Sequence, residues 1–106
     1  MNGKENYNNH EIIKTLKAVK KYPKMYLRGK VSYLSIETYL NGYLNGLGLF
    51  HSVNSGQDIR LWFQEKVGQK SPTSFTVHVE NYYKDKTEEE RIDILLDLVI
   101  EFFQKS

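Results

Sequence analysis

The chain has 106 residues, of which 40% are hydrophobic and 26% are charged, close to the averages of globular proteins. A chain of this length forms one domain with a single core, so we expect residues 1–106 to fold as one unit, with 1–9 flexible. The sequence has a formal net charge of +2 and no cysteine, which excludes a disulfide scaffold, a thiolate metal site and a cysteine nucleophile.

The charges are unevenly distributed along the chain. Residues 1–30 carry eight Lys and Arg against two Glu, a net charge of +6, whereas residues 31–106 carry seven basic and eleven acidic residues, a net charge of −4. Such an asymmetry can mark an interaction surface, although lysines and glutamates also solvate ordinary helix faces. The charge pattern alone therefore leaves the function open.

Targeting and membrane signals are weak in this sequence. Residues 1–9 lack the apolar core of a secretory signal. The densest apolar segment, 92–103, is interrupted by three acidic residues and is too short to span a bilayer. We therefore expect a soluble, cytoplasmic domain that does not act on a membrane.

The spacing of apolar residues predicts a first helix over residues 10–21, with Asn8 and Asn9 as candidate N-caps. Isoleucine, leucine and valine recur there at helical intervals, and most of the lysines face away from them. Pro23 cannot continue that helix. The connector 23–29 contains several apolar residues, so we expect it to lie against the core.

A second helix is predicted to begin at a cap formed by Ser32 or Ser35. Gly42 and Gly46 lie inside it, and each costs about 1 kcal/mol relative to alanine. We therefore expect a close helix–helix contact at these two glycines. Gly48 is the residue expected to end the helix.

The middle of the chain is the least regular part. Segment 51–57 is the most loop-like, and Asp58 then caps a third helix that ends at Gly68, although residues 59–63 could instead form a short strand. Apolar and polar residues alternate over residues 75–79, which is the period-2 pattern of a β-strand. We predict one short β element at this position. Because a single strand is not stable alone, either residues 59–63 form a second strand or this segment is helical.

The last predicted element is a helix that begins with a capping box. In Thr87-Glu88-Glu89-Glu90 the threonine and the final glutamate each satisfy a backbone N–H group of the other residue. Segment 92–103 is apolar over most of the helix circumference, which is typical of a central helix that packs on several sides. The predicted fold class is α+β and predominantly helical, with about four helices and one short β element between the third and the fourth.

The acidic residues of this last helix fall on one face. Glu90, Asp93, Asp97 and Glu101 lie close to a single line on an α-helix, and no lysine of the same segment lies between them. The stripe is either a solvated face or a docking surface for a basic protein. Three aromatic residues are candidate anchors for such an interface. They are Trp62, Tyr82 and Tyr83.

Signals for catalysis are weak. His10, His51 and His78 do not occur at the spacing of a metal site on one helix, so no catalytic residue, metal ligand or cofactor is predicted. An enzyme using His51 or His78 is a third alternative. The runner-up function is a small nucleic-acid-binding or regulatory domain that uses the lysines of the first helix. These are Lys14, Lys17, Lys20 and Lys21.

Three stretches of the sequence together resemble small bacterial immunity proteins. The first is segment 21–27 with its Pro-x-Met-Tyr motif, continued by Leu34 and the Asn-Gly-Tyr run in 39–43, and the second is Trp62. The third is the acid- and leucine-rich segment 93–102. Immunity proteins of this kind are encoded beside polymorphic toxins, including contact-dependent inhibition, Rhs and LXG systems. They bind the C-terminal domain of the toxin, often a nuclease, and block it.

The resemblance implies a cytoplasmic antitoxin that is not an enzyme, with a toxin domain as its partner and homo-oligomerisation left open. Asp97 and Glu101 are the matched positions that could contact a toxin. A nuclease site is cationic because it binds phosphates, so an inhibitor gains by presenting carboxylates there. The alternating segment 75–79 departs from the helix that the resemblance leads us to expect.

Overall fold

A computed structural model describes residues 9–27, 29–51 and 55–105. In these ranges the chain forms six helices. They are α1 (Asn9–Lys21), α2 (Pro23–Tyr26), α3 (Tyr33–His51), α4 (Ser55–Val67), α5 (Phe75–Tyr82) and α6 (Glu88–Lys105). The predicted cap Asn8 and the predicted flexible residues up to position 8 lie outside the described residues, whereas Asn9 begins α1.

Helix α6 is the central element of the fold, as its apolar circumference predicts. It packs against α1, α3, α4 and α5. Leu95, Leu96, Val99 and Phe103 are fully buried in the core. Because four helices bury their apolar faces on this one helix, the hydrophobic stabilisation of the whole domain depends on it.

The predicted capping box starts α6. The backbone N–H of Thr87 donates to Glu90 Oε1 at 2.9 Å, and the backbone N–H of Glu90 donates to Thr87 Oγ1 at 3.1 Å. Hydrogen bonds from the backbone N–H and the side chain of Thr87 to the carboxylate favour its charged form, and they lower the pKa of Glu90 below its usual value. The carboxylate of Glu90 thus has a structural task at the helix start.

Helix α1 lies along α6 and runs in the opposite direction. Asn9 Nδ2 donates to the carbonyl oxygen of Phe103 at 2.9 Å, which joins the start of α1 to the end of α6. Ile12, Leu16 and Val19 are the buried residues of α1. The predicted bounds of this helix are confirmed to within one residue, and the helix ends directly before Tyr22 and Pro23.

The predicted β element, and with it the α+β fold class, is wrong. Helix α5 occupies the alternating segment, no strand occurs in the part of the chain that the structure describes, and six helices replace the expected four. The alternation misled because Thr76 and His78, the polar members of the pattern, are buried together with the apolar Phe75 and Val79. Burial at 75, 76, 78 and 79 is the pattern of one helix face and not of one strand face.

One local and one long-range hydrogen bond favour the helical conformation of this segment. Ser74 caps α5, because its side-chain oxygen accepts from the backbone N–H of Val77. The hydroxyl of Thr76 donates to Glu37 Oε2 at 2.7 Å, so this polar group is satisfied inside the core. A buried polar side chain that forms a hydrogen bond avoids the desolvation penalty of an unpaired polar group, so it can remain in the core.

The connections between the helices also differ from expectation. Residues 23–26 form the short helix α2, and α3 continues through Gly48 to His51, so Gly48 does not end it. Helix α4 begins at Ser55, before the predicted cap Asp58. Of the expected loop 51–57, residues 52–54 lie outside the described residues, and the others belong to α3 and α4. The helix ends as predicted at Gly68, whose φ of +68° suits glycine. The alternative strand at 59–63 is thereby excluded.

The close helix contact expected at Gly42 and Gly46 is wrong. A Cβ atom built at either position meets no described atom within 4 Å. Replacing Gly42 by alanine should therefore raise the free energy of unfolding by about 1 kcal/mol, since alanine is the better helix former and nothing opposes its methyl group. Urea denaturation of the purified chain measures this change.

The matched control for that substitution is Gly68→Ala. Gly68 also has open space around it, but its φ of +68° is unfavourable for alanine. We expect this variant to lose about 1–2 kcal/mol. A loss of stability in both variants would contradict the assignment of Gly42 to an open helix face.

No described helix combines the length and the apolar character needed to cross a bilayer.

Candidate functional site

The predicted acidic stripe lies on the outer face of α6, and lysines of other helices flank it. Lys20 of α1 approaches Asp97 Oδ1 with its Nζ at 2.6 Å. Lys66 of α4 approaches Glu101 Oε2 at 2.7 Å, and Lys105 approaches the same oxygen at 3.4 Å. The sequence spacing predicts the line of carboxylates correctly, but it does not show that neighbouring helices neutralise half of it.

The four carboxylates of the stripe therefore differ in availability. Glu90 belongs to the cap of α6, and Glu101 is half-buried and accepts from Lys66, a hydrogen bond that lowers its pKa. Asp97 is exposed but paired. Asp93 is exposed and forms no ion pair with any described residue. An incoming cation can therefore reach Asp93 without displacing a lysine and without disturbing the cap of α6.

An open groove of about 610 Å³ runs between α1 and α6 beside this stripe. Lys17, Lys20 and Lys21 line one wall, and Asp93, Asp97 and Glu101 line the other. Three of the four lysines of the runner-up nucleic-acid hypothesis thus face carboxylates. These carboxylates reduce the positive potential that a phosphate backbone would meet on this side of α1.

The predicted aromatic anchors occupy two separate places. Trp62 is half-buried, with its ring centroid 5.6 Å from that of Phe102 and Lys66 Nζ 5.5 Å from its ring, so it lies beside the Glu101 end of the stripe. Tyr82 and Tyr83 lie at the end of α5, where their ring centroids are 5.0 Å apart. Tyr82 is exposed and Tyr83 half-buried, and the Tyr82 ring packs on Phe63 of α4. The structure thus joins only Trp62 to the acidic stripe.

The two histidines whose side chains the structure describes, His10 and His78, have different surroundings. His10 is exposed at the start of α1, and the side chain of His51 is outside the description. His78 is buried against Phe63, with ring centroids 4.9 Å apart, and its Nε2 donates to Gln69 Oε1 at 3.0 Å. In that tautomer the buried Nδ1 is an unprotonated nitrogen with no hydrogen-bond partner among the described residues.

The burial of His78 predicts a pH dependence of stability. Burial, assisted by the nearby Arg60 charge, lowers the pKa of His78 in the folded state below 6.5. The unfolded state then binds more protons in this range, so stability is complete above pH 6.5 and decreases as the pH falls below it. Urea denaturation between pH 5 and 8 should show this slope, and His78→Gln should remove it.

His10→Gln is the matched control, because it removes an exposed histidine from the same chain. The slope between pH 5 and 8 should persist in this variant. An unchanged slope in His78→Gln would show that another group is responsible.

An exposed apolar surface is the feature that sequence reasoning missed. Tyr22, Met25, Tyr26 and Leu34 are 51%, 77%, 41% and 69% exposed. We call these four residues the Met25 surface. The connector was predicted to lie against the core, but of its apolar residues only Leu27 packs there while Met25 and Tyr26 face outward. Large apolar side chains grouped on a surface mark interaction sites more often than chance.

Aromatic contacts hold this surface in place. The rings of Tyr26 and Tyr39 pack edge to face with centroids 6.3 Å apart, and the rings of Tyr39 and Tyr43 stack at 6.0 Å. Burial raises the pKa values of Tyr39 and Tyr43. Two segments that are separate in the sequence thus meet on one side of the molecule, 21–27 and 39–43. The ring of Tyr39 packs against the exposed Tyr26 and is itself stacked on Tyr43.

The described residues contain no group of three or more His, Asp or Glu placed to hold a metal ion. Comparisons with protein-family models, with curated proteins and with solved structures give no match. The described residues present two exposed surfaces that can meet a partner, the acidic stripe and the Met25 surface.

Proposed function

We propose that this chain is an immunity protein that binds and occludes the C-terminal domain of a cognate bacterial toxin, with a nuclease as the toxin class. The observation that carries the proposal is the Met25 surface. Tyrosine is enriched among the residues that dominate binding energies at protein interfaces, and methionine adapts its shape to a partner. A protein that acts by covering another protein needs such a surface.

The position of the resembling segments supports the same proposal. Segments 21–27 and 39–43 build the Met25 surface and its support through the contact between Tyr26 and Tyr39. Segment 93–102 forms most of α6, whose outer face carries the acidic stripe. Motifs that are separate in the sequence therefore contribute to the two exposed surfaces described above.

The acidic stripe suits the proposed nuclease partner through two of its residues. Asp93 is exposed and unpaired among the described residues. Asp97 is held by Lys20 in an ion pair whose side chains are 58% and 36% exposed. Such a pair contributes about 0–1 kcal/mol, so a cation of the partner can replace Lys20 at little cost. Glu90 is less suitable, because changing it would also disturb the cap of α6.

Co-expression in bacteria tests the proposed function. The chain is expressed together with the nuclease domain of the toxin encoded beside its gene, and growth and complex formation are measured. We expect growth to be rescued and a stable complex to elute from a size-exclusion column. A chain that neither protects the cells nor forms a complex would contradict the proposal.

Paired variants test the role of the stripe in the same assay. The double variant Asp93→Asn, Asp97→Asn should bind the nuclease domain about tenfold or more weakly, since rim and interface charges steer and orient such complexes. The control is Glu65→Gln, Glu89→Gln, which removes two exposed carboxylates outside the stripe. Equal affinity of both double variants would remove the stripe from the interface and leave the immunity role intact.

A further inference from the structure

Two shallow clefts lie beside the residues of the Met25 surface, and both border α2. One, of about 330 Å³, is lined by residues 21–25, and the other, of about 460 Å³, lies between the end of α2 and the first turns of α3. Met25 and Leu34 are the most exposed of its four apolar residues. A surface with clefts beside exposed apolar groups accepts anchoring side chains, as peptide-binding grooves do.

The charge around this surface is positive. Residues 12–36 contain seven Lys and Arg and no Asp or Glu. Lys21 and Lys24 line the cleft beside Met25, are exposed and form no ion pair with a described residue, whereas Lys20 is already paired with Asp97. The carboxylate of Glu88 also reaches this end of the molecule, but it accepts from the backbone N–H of Tyr33 at 3.0 Å and is thereby directed at the start of α3. The unpaired charges next to the apolar residues are cationic.

The arrangement of the rings argues against nucleic acid as the ligand. Base stacking requires an open aromatic face. The Tyr39 ring is covered by Tyr26 and Tyr43, and Lys21 Nζ lies 5.3 Å from the centroid of the Tyr22 ring. The clefts beside α2 likewise fit a chain that projects side chains better than the flat surface of a bilayer.

We propose that the Met25 surface binds an acidic segment of a partner protein, with aliphatic or aromatic side chains of that segment seated in its two clefts, one beside Met25 and one beside Leu34. Carboxylates of the segment pair with Lys21 and Lys24 beside Met25. This inference rests on the proposed function, because the acidic segment is assigned to the toxin surface that meets α2. It assigns the contact to acidic groups of the partner, opposite in charge to the contact at the acidic stripe.

Twin peptides test the chemistry of the surface. Two fluorescein-labelled 16-residue peptides carry leucines at the same helical spacing and differ only in having glutamate or lysine at the remaining positions. Fluorescence anisotropy with the full chain should show at least tenfold tighter binding of the glutamate peptide at low salt, and the preference should shrink as salt is added. Backbone amide shifts in residues 21–27 and at Leu34 should locate its site.

Substitutions distinguish binding at the Met25 surface from nonspecific hydrophobic binding. Met25→Asp should weaken the glutamate peptide at least tenfold, whereas Leu61→Asp, at a site on α4 that is 50% exposed, should not change it. The double variant Lys21→Glu, Lys24→Glu should reverse the preference between the twins. Equal binding of both twins, or equal losses in Met25→Asp and Leu61→Asp, would overturn the inference.

The same measurement distinguishes the other classes of ligand. A 20-nucleotide oligo(dT) or vesicles containing phosphatidylglycerol that shift residues 21–27, when the glutamate peptide does not, would overturn the proposal. The protection assay is read separately. Cells that the Met25→Asp variant protects as well as the parent would overturn the assignment of this surface to the toxin and leave the immunity role standing. A chain that prefers the glutamate peptide at this surface but protects no cell would refute immunity and support the surface chemistry.

Discussion

Replacing Phe63 by alanine is expected to lower the free energy of unfolding by about 3–5 kcal/mol. Phe63 is fully buried on α4, and its ring packs edge to face against Phe75 and His78 at centroid distances of 5.7 and 4.9 Å. Removing the ring leaves a cavity that helices packed on several sides cannot close. A domain of this size is stable by only about 5–15 kcal/mol, so the variant should unfold at a much lower urea concentration.

Leu61→Ala is the matched control for Phe63→Ala. Leu61 lies two positions away on α4 and is 50% exposed, so its truncation should change the free energy of unfolding by no more than about 0.5 kcal/mol. Similar losses in the two variants would show that α4 is oriented differently from the description given above.

Thr76→Val is expected to lower the free energy of unfolding by about 1–3 kcal/mol. The hydroxyl of Thr76 is buried and donates to Glu37 Oε2 at 2.7 Å, and valine keeps the shape but removes the donor. The carboxylate of Glu37, which is half-buried on α3, then loses a hydrogen bond that water cannot fully replace. Urea or thermal denaturation measures the loss.

The same substitution in solvent provides the comparison. Thr38 is exposed on α3, and its hydroxyl donates to the carbonyl oxygen of Leu34 at 2.8 Å. Thr38→Val should change stability by no more than about 0.5 kcal/mol, since water replaces that hydrogen bond. If both valine variants were equally stable, the pairing of Thr76 with Glu37 would contribute nothing to the fold.

The parts of the fold that could be predicted depend on local signals. The capping box before α6 and the proline after α1 act within one or two turns, and the structure confirms both helices. Segment 75–79 could not be read correctly, because Thr76 and His78 are buried through partners at Glu37 and Gln69 that no local pattern reveals. A prediction based on alternation fails where buried polar residues have hydrogen-bond partners elsewhere in the sequence.

The candidate site shows the same division. Helical spacing is sufficient to place Asp93, Asp97 and Glu101 on one face of α6. It does not reveal that Lys20 is paired with Asp97, since the two residues are 77 positions apart. Met25 was assigned to the core on its apolar character alone, and its exposure depends on how α2 leaves α1. Ion pairing and side-chain exposure depend on tertiary packing, so the local sequence pattern does not predict them.

The central position of α6 has a consequence for how the chain folds during synthesis. This helix is the last of the six to be made, yet α1, α3, α4 and α5 all bury apolar residues against it. The contact between Asn9 and Phe103 spans 94 positions. The earlier helices have no common apolar partner until α6 emerges from the ribosome, and short helices are marginal in water by themselves. We therefore expect the nascent chain to complete its core only after α6 is made, through the closure of a long loop.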